Sequence, residues 1–297
     1  MVAAGLPWRV LASVILDSMQ KLFSTTLRSC LTAALLGLAW SGTFLSAADY
    51  HGVRVIAHRG AGFEFDENTV EGCRQSYERG IRGFEVDIRL TKDGHLVIMH
   101  DADVSRTTGG NGKIEELTLA EIQALRTTKS GVPIPSVADL FAYFKDKPGV
   151  QLLLEMKTSE KAAYPDEKIG VYCRLLQAAA QSTLPPGTYC FTSFDRRSLA
   201  GIRSLSPDAA TGLLTSTFPT PELIAEAKQL GCVRLSVSLD ATSRKLAREV
   251  KMAGLQISLW PIKSKEDADL AVTLGANILC TDVPSELLGV KTGAGRG

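Results

Sequence analysis

From residue 54 onward, short apolar runs alternate with longer runs of helical periodicity, and that alternation admits few folds. Strands separated by helices pair in parallel, because a tight hairpin cannot join parallel neighbours. The pattern predicts eight strands, at 54–57, 83–90, 151–155, 189–192, 210–214, 234–237, 256–260 and 278–280. Helical patterns fill most of the gaps, at 69–79, 168–181, 196–204, 221–229, 243–253 and 265–274. Asp195, Thr220 and either Thr242 or Ser243 stand where helix N-caps are wanted. Gly80, Gly231, Gly254 and Gly275 fall just past helix ends, where a left-handed cap is favoured. Eight such units in a row predict an α/β fold, a closed (β/α)8 TIM barrel.

One run breaks the alternation. Residues 95–99 (HLVIM) follow the second strand after only Thr91-Lys92-Asp93-Gly94. Asp-Gly between two β-like runs is a strong hairpin signal, so strand two is expected to continue into an antiparallel ribbon. If Asp93 and Gly94 are the two turn residues, residue i pairs with 187 − i, and His100 faces Asp87. Residues 101–149 then form an insertion before strand three. It carries a glycine-rich turn at 108–112, a helix opened by Thr118 with Glu121 as capping box, and a helix at 136–144.

The first 48 residues differ from the rest. Arg28 precedes an apolar run at 31–40, and Ser46-Ala47-Ala48 follows, which is the order of a secretory signal with a cut after Ala48. The run is shorter than the roughly 20 residues a membrane span needs. The expectation is therefore an exported protein, periplasmic or secreted, with no stable membrane insertion after cleavage. A segment left uncut would tether it instead, and Met19 offers an alternative start. Removing 48 of 297 residues leaves 249, close to the usual size of such a barrel. The remainder carries 30 basic and 31 acidic side chains, which excludes a nucleic-acid footprint. Its five cysteines are odd in number and form no Cys-x-x-Cys, so they are expected as core fillers rather than as a disulfide framework or zinc site.

Charges at the ends of buried strands need a reason. His58-Arg59 ends strand one, Glu85 and Asp87 share one face of strand two, and Glu155 and Lys157 share one face at the end of strand three. In a barrel, residues at these C-terminal strand ends carry the chemistry. Three converging carboxylates repel unless a cation sits between them, and an all-oxygen set favours Mg²⁺ or Ca²⁺. Arg59 and Lys157 suit phosphate, and His58 and His100 suit paired proton transfers. Trp260, ending strand seven, is a candidate wall for a substrate. Glu67, Asn68 and Asp101 are candidates for supporting these groups, and Asp282 for capping a helix. No role is expected of His51, just before strand one, or of His95, which follows the hairpin turn and is expected to be solvated.

The series His58-Arg59-Gly60, Glu67-Asn68-Thr69, Glu85-Val86-Asp87, Asp93-Gly94, His100-Asp101, Arg106-Thr107-Thr108, Glu155-Met156-Lys157, Trp260 and Thr281-Asp282 resembles the glycerophosphodiester phosphodiesterase family. The resemblance spans about 54–288. It implies a TIM barrel with a small insertion, hydrolysing glycerophosphodiesters to an alcohol and glycerol 3-phosphate with Mg²⁺ or Ca²⁺. It further implies Glu85, Asp87 and Glu155 as metal ligands, His58 and His100 as the acid–base pair, and Arg59 and Lys157 as phosphate ligands. Asp66 stands where the family usually has proline, Pro261-Ile262 follows Trp260, and the insertion lacks an aromatic-rich segment. These departures bear on the alcohol pocket rather than on the chemistry. Two other readings are a phospholipase D of the sphingomyelinase toxin type and a non-catalytic phosphodiester-binding protein. The alcohol, the choice of metal and the oligomeric state are not written in the sequence.

Overall fold

The computed structural model describes residues 49–60 and 62–290. The segment read as an export signal lies outside the described residues. The described chain opens with β1 (Asp49–Tyr50), β2 (Val53–Ala57), α1 (Val70–Glu78), β3 (Gly83–Leu90) and β4 (Leu96–Ile98). The insertion follows, with α2 (Ser105–Thr108), α3 (Leu119–Ala124) and α4 (Val137–Phe144). The regular part then runs β5 (Gln151–Met156), α5 (Asp166–Thr183), β6 (Tyr189–Ser193), α6 (Arg196–Leu205), β7 (Thr211–Thr215) and α7 (Pro221–Gln229). It ends with β8 (Arg234–Ser238), α8 (Arg244–Met252), β9 (Gln256–Ile262), α9 (Lys265–Leu274), β10 (Ile278–Thr281) and α10 (Pro284–Leu287).

Strands β2, β3, β5, β6, β7, β8, β9 and β10 pair in parallel in that order, and β10 pairs back onto β2. The ring is closed, the predicted eight-stranded barrel, with β1 and β4 bonded outside it. Every residue of β3 and β5 is buried, as expected of strands covered by helices on one side and by the barrel interior on the other. Phe84 of β3 packs on Phe144 of α4 at 4.8 Å between ring centroids, and Tyr172 of α5 donates to the Ile88 carbonyl at 2.9 Å. Each buried side chain of this size contributes roughly 1.5–3 kcal/mol of transfer free energy. The helix starts follow the sequence signals at Asp195, Thr220 and, of the two candidates, Ser243, each accepting a backbone N–H with its side chain; Thr69 caps α1 in the same way. Thr118 and Ser136 both form capping boxes. The insertion has a small core of its own, where Val104, Ile114, Ile122 and Ile134 gather on Val97 and Met99. The five cysteines of the described chain are all buried and unpaired.

The hairpin register differs from the expectation by one residue. Ile88 pairs with Ile98, Arg89 with Val97 and Leu90 with Leu96, so residue i pairs with 186 − i. The loop holds three residues rather than two. The Thr91 N–H donates to the His95 carbonyl at 2.8 Å across Lys92, Asp93 and Gly94. Gly94 takes φ 82°, the left-handed last position that a three-residue hairpin loop demands. Asp87 is therefore opposite Met99, whose N–H donates to its carbonyl at 2.9 Å. His100 falls in a bend just beyond. Arg89 fixes that bend by donating from Nε and Nη2 to the His100 carbonyl at 3.0 and 2.8 Å.

Candidate active site

Parallel register brings the charged residues together. Asp87 of β3 is the direct neighbour of Glu155 of β5, and Glu85 lies two residues earlier on the same face. Ala57 of β2 pairs with Phe84, which sets His58 beside Glu85. One oxygen from each of Glu85, Asp87 and Glu155 lies within 4.8 Å of the others, and all three residues are buried.

The segment after β2 holds this cluster from above. Arg59 takes the left-handed conformation (φ 56°, ψ 28°) in a short 3-10 turn over His58–Gly60. That turn aims the Arg59 N–H at Glu85 Oε2, 2.9 Å away. Asn68, also left-handed at φ 56°, donates from Nδ2 to Asp87 Oδ2 at 2.8 Å and accepts the Asp87 N–H at 3.1 Å. The amide thus fixes the carboxylate from both its side chain and its backbone. Lys157 Nζ lies 2.8 Å from Glu155 Oε1 and 3.4 Å from Asp87 Oδ1.

Burial and the neighbouring Asp87 push the Glu85 carboxyl up to about 8. Burial also raises Glu155. For Asp87 burial acts the same way, but Lys157, His100, Asn68 and Arg59 outweigh it and hold the carboxyl down at about 2. A buried carboxyl that resists ionisation beside two others is the signature of a site short of positive charge. Glu85 Oε1 is buried with no hydrogen-bond partner. An all-oxygen set with an open oxygen fits one hard divalent cation.

Both candidate histidines are oriented through Nδ1. His58 Nδ1 is 2.7 Å from Asp282 Oδ1, and His100 Nδ1 is 2.6 Å from Asp101 Oδ1. A carboxylate only accepts, so Nδ1 donates and Nε2 is left for chemistry. His58 Nε2 lies 4.0 Å from Glu85 Oε2. Burial disfavours the charged form of His58, but the Asp282 hydrogen bond and the Glu85 charge outweigh it and raise its pKa. Asp282 is thus the partner of His58 and not a helix cap. Ala57 pairs with Thr281 where the first and last barrel strands meet, so the residues that follow them adjoin. His95 is exposed, as expected, and His51 is exposed too.

Arg59 Nη1 donates to Glu67 Oε1 at 2.9 Å. Glu67 in turn accepts from Arg106 at 2.6 and 2.9 Å, and Arg106 Nε also donates to Asp101. Arg106 opens the Arg106-Thr107-Thr108 motif, and no pattern in the sequence assigns it a role. A cavity of about 240 Å³ adjoins the cluster. Trp260 and Phe194 wall it with perpendicular rings 5.8 Å apart, and Leu153, Leu214, Ser236 and Ser258 line it lower in the barrel. An open groove of about 500 Å³, bordered by Arg89, Glu160 and Phe194, shares Glu155 and Lys157 with that cavity.

Known proteins share this plan. The model of the glycerophosphoryl diester phosphodiesterase family matches residues 58–286. A glycerophosphodiester phosphodiesterase of Caldanaerobacter subterraneus is 29% identical over 252 residues, which cover 79% of this chain and 96% of that protein. The fold resembles an Oleispira antarctica phosphodiesterase solved with the product sn-glycerol-3-phosphate (TM-score 0.72, 24% identity, covering 80% of this chain and 95% of that one). It also resembles the Thermotoga maritima glycerophosphodiester phosphodiesterase (TM-score 0.65, 21% identity, covering 82% of this chain and all of that one). A family match that begins at His58, takes in the acidic cluster and runs past Asp282 covers most of the chain, which belongs to the glycerophosphoryl diester phosphodiesterase family.

Proposed function

We propose that the protein hydrolyses glycerophosphodiesters to an alcohol and sn-glycerol 3-phosphate, with one Mg²⁺ or Ca²⁺ ion held by Glu85, Asp87 and Glu155. The observation that carries this reading is three buried carboxylates, mutually within 4.8 Å, flanked by two histidines that each carry an aspartate on Nδ1. The family and the product named for the Oleispira antarctica structure support the substrate class.

Glu85, Asp87 and Glu155 would hold the cation, which when bound would supply Lewis-acid polarisation of a phosphoryl oxygen. Arg59 and Lys157 bind the remaining phosphate oxygens, Arg59 through its fork and Lys157 as a point charge. His58 and His100 divide the proton transfers. One Nε2 takes the proton of the neighbouring glycerol hydroxyl as it attacks phosphorus, while the other protonates the alkoxide whose bond to phosphorus breaks. Water then opens the resulting cyclic phosphate with the two roles exchanged, giving sn-glycerol 3-phosphate. Each transfer contributes about 10²- to 10⁴-fold. Trp260 and Phe194 exclude water from one side of the reacting phosphate. The open groove of about 500 Å³ leaves room for alcohols of different size. Residues 1–48 belong to the same proposal as a cleaved export signal ahead of a catalytic domain at 49–297; N-terminal sequencing of the mature protein tests the cut. Among the described residues no helix is long and apolar enough to cross a membrane.

The experiment is release of sn-glycerol 3-phosphate from glycerophosphocholine, with and without chelator, beside His58→Ala and Glu155→Ala. Release that requires the divalent ion and is lost in both variants supports the reading. Release that survives the chelator or Glu155→Ala refutes the metal assignment. Folded, metal-loaded protein that releases nothing refutes the substrate class.

A further inference from the structure

The insertion sends one side chain back to the catalytic face. Arg106 of α2 lies in the only described part of the chain that interrupts the βα repeat between β4 and α4. Its guanidinium meets two carboxylates at once. Nη1 and Nη2 donate to Glu67 Oε2 and Oε1 at 2.9 and 2.6 Å, and Nε donates to Asp101. Each carboxylate has a second duty. Glu67 Oε1 also accepts from Arg59 Nη1 at 2.9 Å, and Asp101 Oδ1 holds His100 Nδ1 at 2.6 Å. The result is one unbroken chain, His100–Asp101–Arg106–Glu67–Arg59.

Only arginine can close that chain. A planar fork presents several N–H groups in fixed directions, so it can serve two carboxylates with opposed orientations; a lysine ammonium has no such geometry. The Arg106 side chain is about half exposed (48%), so its ion pairs are screened and contribute little to stability. What it contributes is placement. Arg89 holds the His100 backbone through its carbonyl, but the imidazole ring can still rotate, and among the described side chains Asp101 is its hydrogen-bond partner.

We infer that Arg106 is a positioning residue that ties the His100–Asp101 pair to the Glu67–Arg59 pair, so that the proton-transferring ring and the phosphate-binding guanidinium are set as one unit. The kinetic part of the inference rests on the phosphodiesterase reading; the geometric part does not.

The test has two arms, both on the full-length protein with Mg²⁺. The first reads imidazole nitrogen chemical shifts. The chain has four histidines, so His100 is assigned by comparison with His100→Gln. The expected result is a single Nδ1–H tautomer for His100 in the parent and a mixture in Arg106→Ala. A mixture in the parent, or an unchanged single tautomer in Arg106→Ala, overturns the inference. The second arm is kinetic. Arg106→Ala lowers kcat by about 10- to 100-fold, the usual cost of losing an outer partner of a site residue, while the melting temperature stays within about 4 °C. Glu67→Gln and Asp101→Asn combine non-multiplicatively by about tenfold in the parent and multiplicatively in Arg106→Ala, as expected if the arginine couples them. Multiplicative effects in the parent, or full recovery of kcat by Arg106→Lys, overturn the inference. A parent that turns over no glycerophosphodiester refutes the phosphodiesterase reading, and the nitrogen shifts still decide the clamp.

Discussion

Gly60 closes the turn that carries His58 and Arg59, and Gly60→Ala should damage both stability and activity. It is buried, sits directly after His58 and Arg59, and adopts φ 75°. A Cβ there would lie 2.3 Å from Cys73 Sγ, more than an ångström inside ordinary contact, and 3.6 Å from Val86 Cγ1. Two costs combine. Placing an L-residue in the left-handed region costs about 1–2 kcal/mol. Overpacking against a fully buried sulfur on α1 costs about 1–3 kcal/mol. Together they give about 2–5 kcal/mol, or a fall in Tm of roughly 4–20 °C for a domain of this size. Differential scanning calorimetry of Gly60→Ala reads this directly. The double variant Gly60→Ala/Cys73→Ala separates the terms, because removing Sγ relieves the clash but not the backbone strain. It should recover about 1–3 kcal/mol relative to Gly60→Ala. A Gly60→Ala Tm within about 1 °C of the parent, or a double variant no better than the single, would refute the reasoning.

Saturating Mg²⁺ or Ca²⁺ should raise Tm, by roughly 5–10 °C at about 100 times Kd, and Glu155→Gln should abolish the response; thermal melts with and without chelator check both. That gain should grow with pH. Glu85, raised to about 8 in the metal-free protein against its ordinary 4.5, holds a proton that the unfolded chain has already released. Its contribution to metal-free stability is therefore full below about pH 4.5 and is lost as pH climbs through about 8, and the cation must displace the proton to bind. Melts at about pH 5.5 and about pH 8.5 test this; an equal metal-induced gain at both would count against it. Asp282→Asn should lower kcat by about 10²- to 10⁴-fold, because an amide does not enforce the Nδ1–H tautomer of His58. Steady-state kinetics at saturating Mg²⁺ decide it, and a loss under about threefold would show that His58 orients itself without Asp282.

Strand and helix order was legible because a parallel barrel repeats one local unit, and each repeat carries its own apolar run, cap and glycine stop. The acidic cluster was legible for a similar reason. Strand alternation puts Glu85 with Asp87 on one face, and charges in an otherwise apolar strand are conspicuous. The hairpin register was not legible from Asp93-Gly94. A two-residue and a three-residue loop both place glycine in a left-handed position, and the choice between them turns on the Thr91–His95 bond. The partner of His58 depends on closure of the ring, a long-range property that only the meeting of the first and last barrel strands reveals. Arg106 escaped because its partners, Glu67 and Asp101, come from different loops, 39 and 5 residues away.

The His58–Asp282 pair joins residues 224 apart in sequence. A chain emerging from the ribosome exposes His58 long before Asp282. Every nascent intermediate short of the last barrel strand thus has an untethered imidazole, whatever helices and strands it has already formed. On the proposed role of His58, hydrolytic activity should therefore appear only once the ring closes, and can serve as a timer for barrel closure in refolding or in stalled-ribosome experiments.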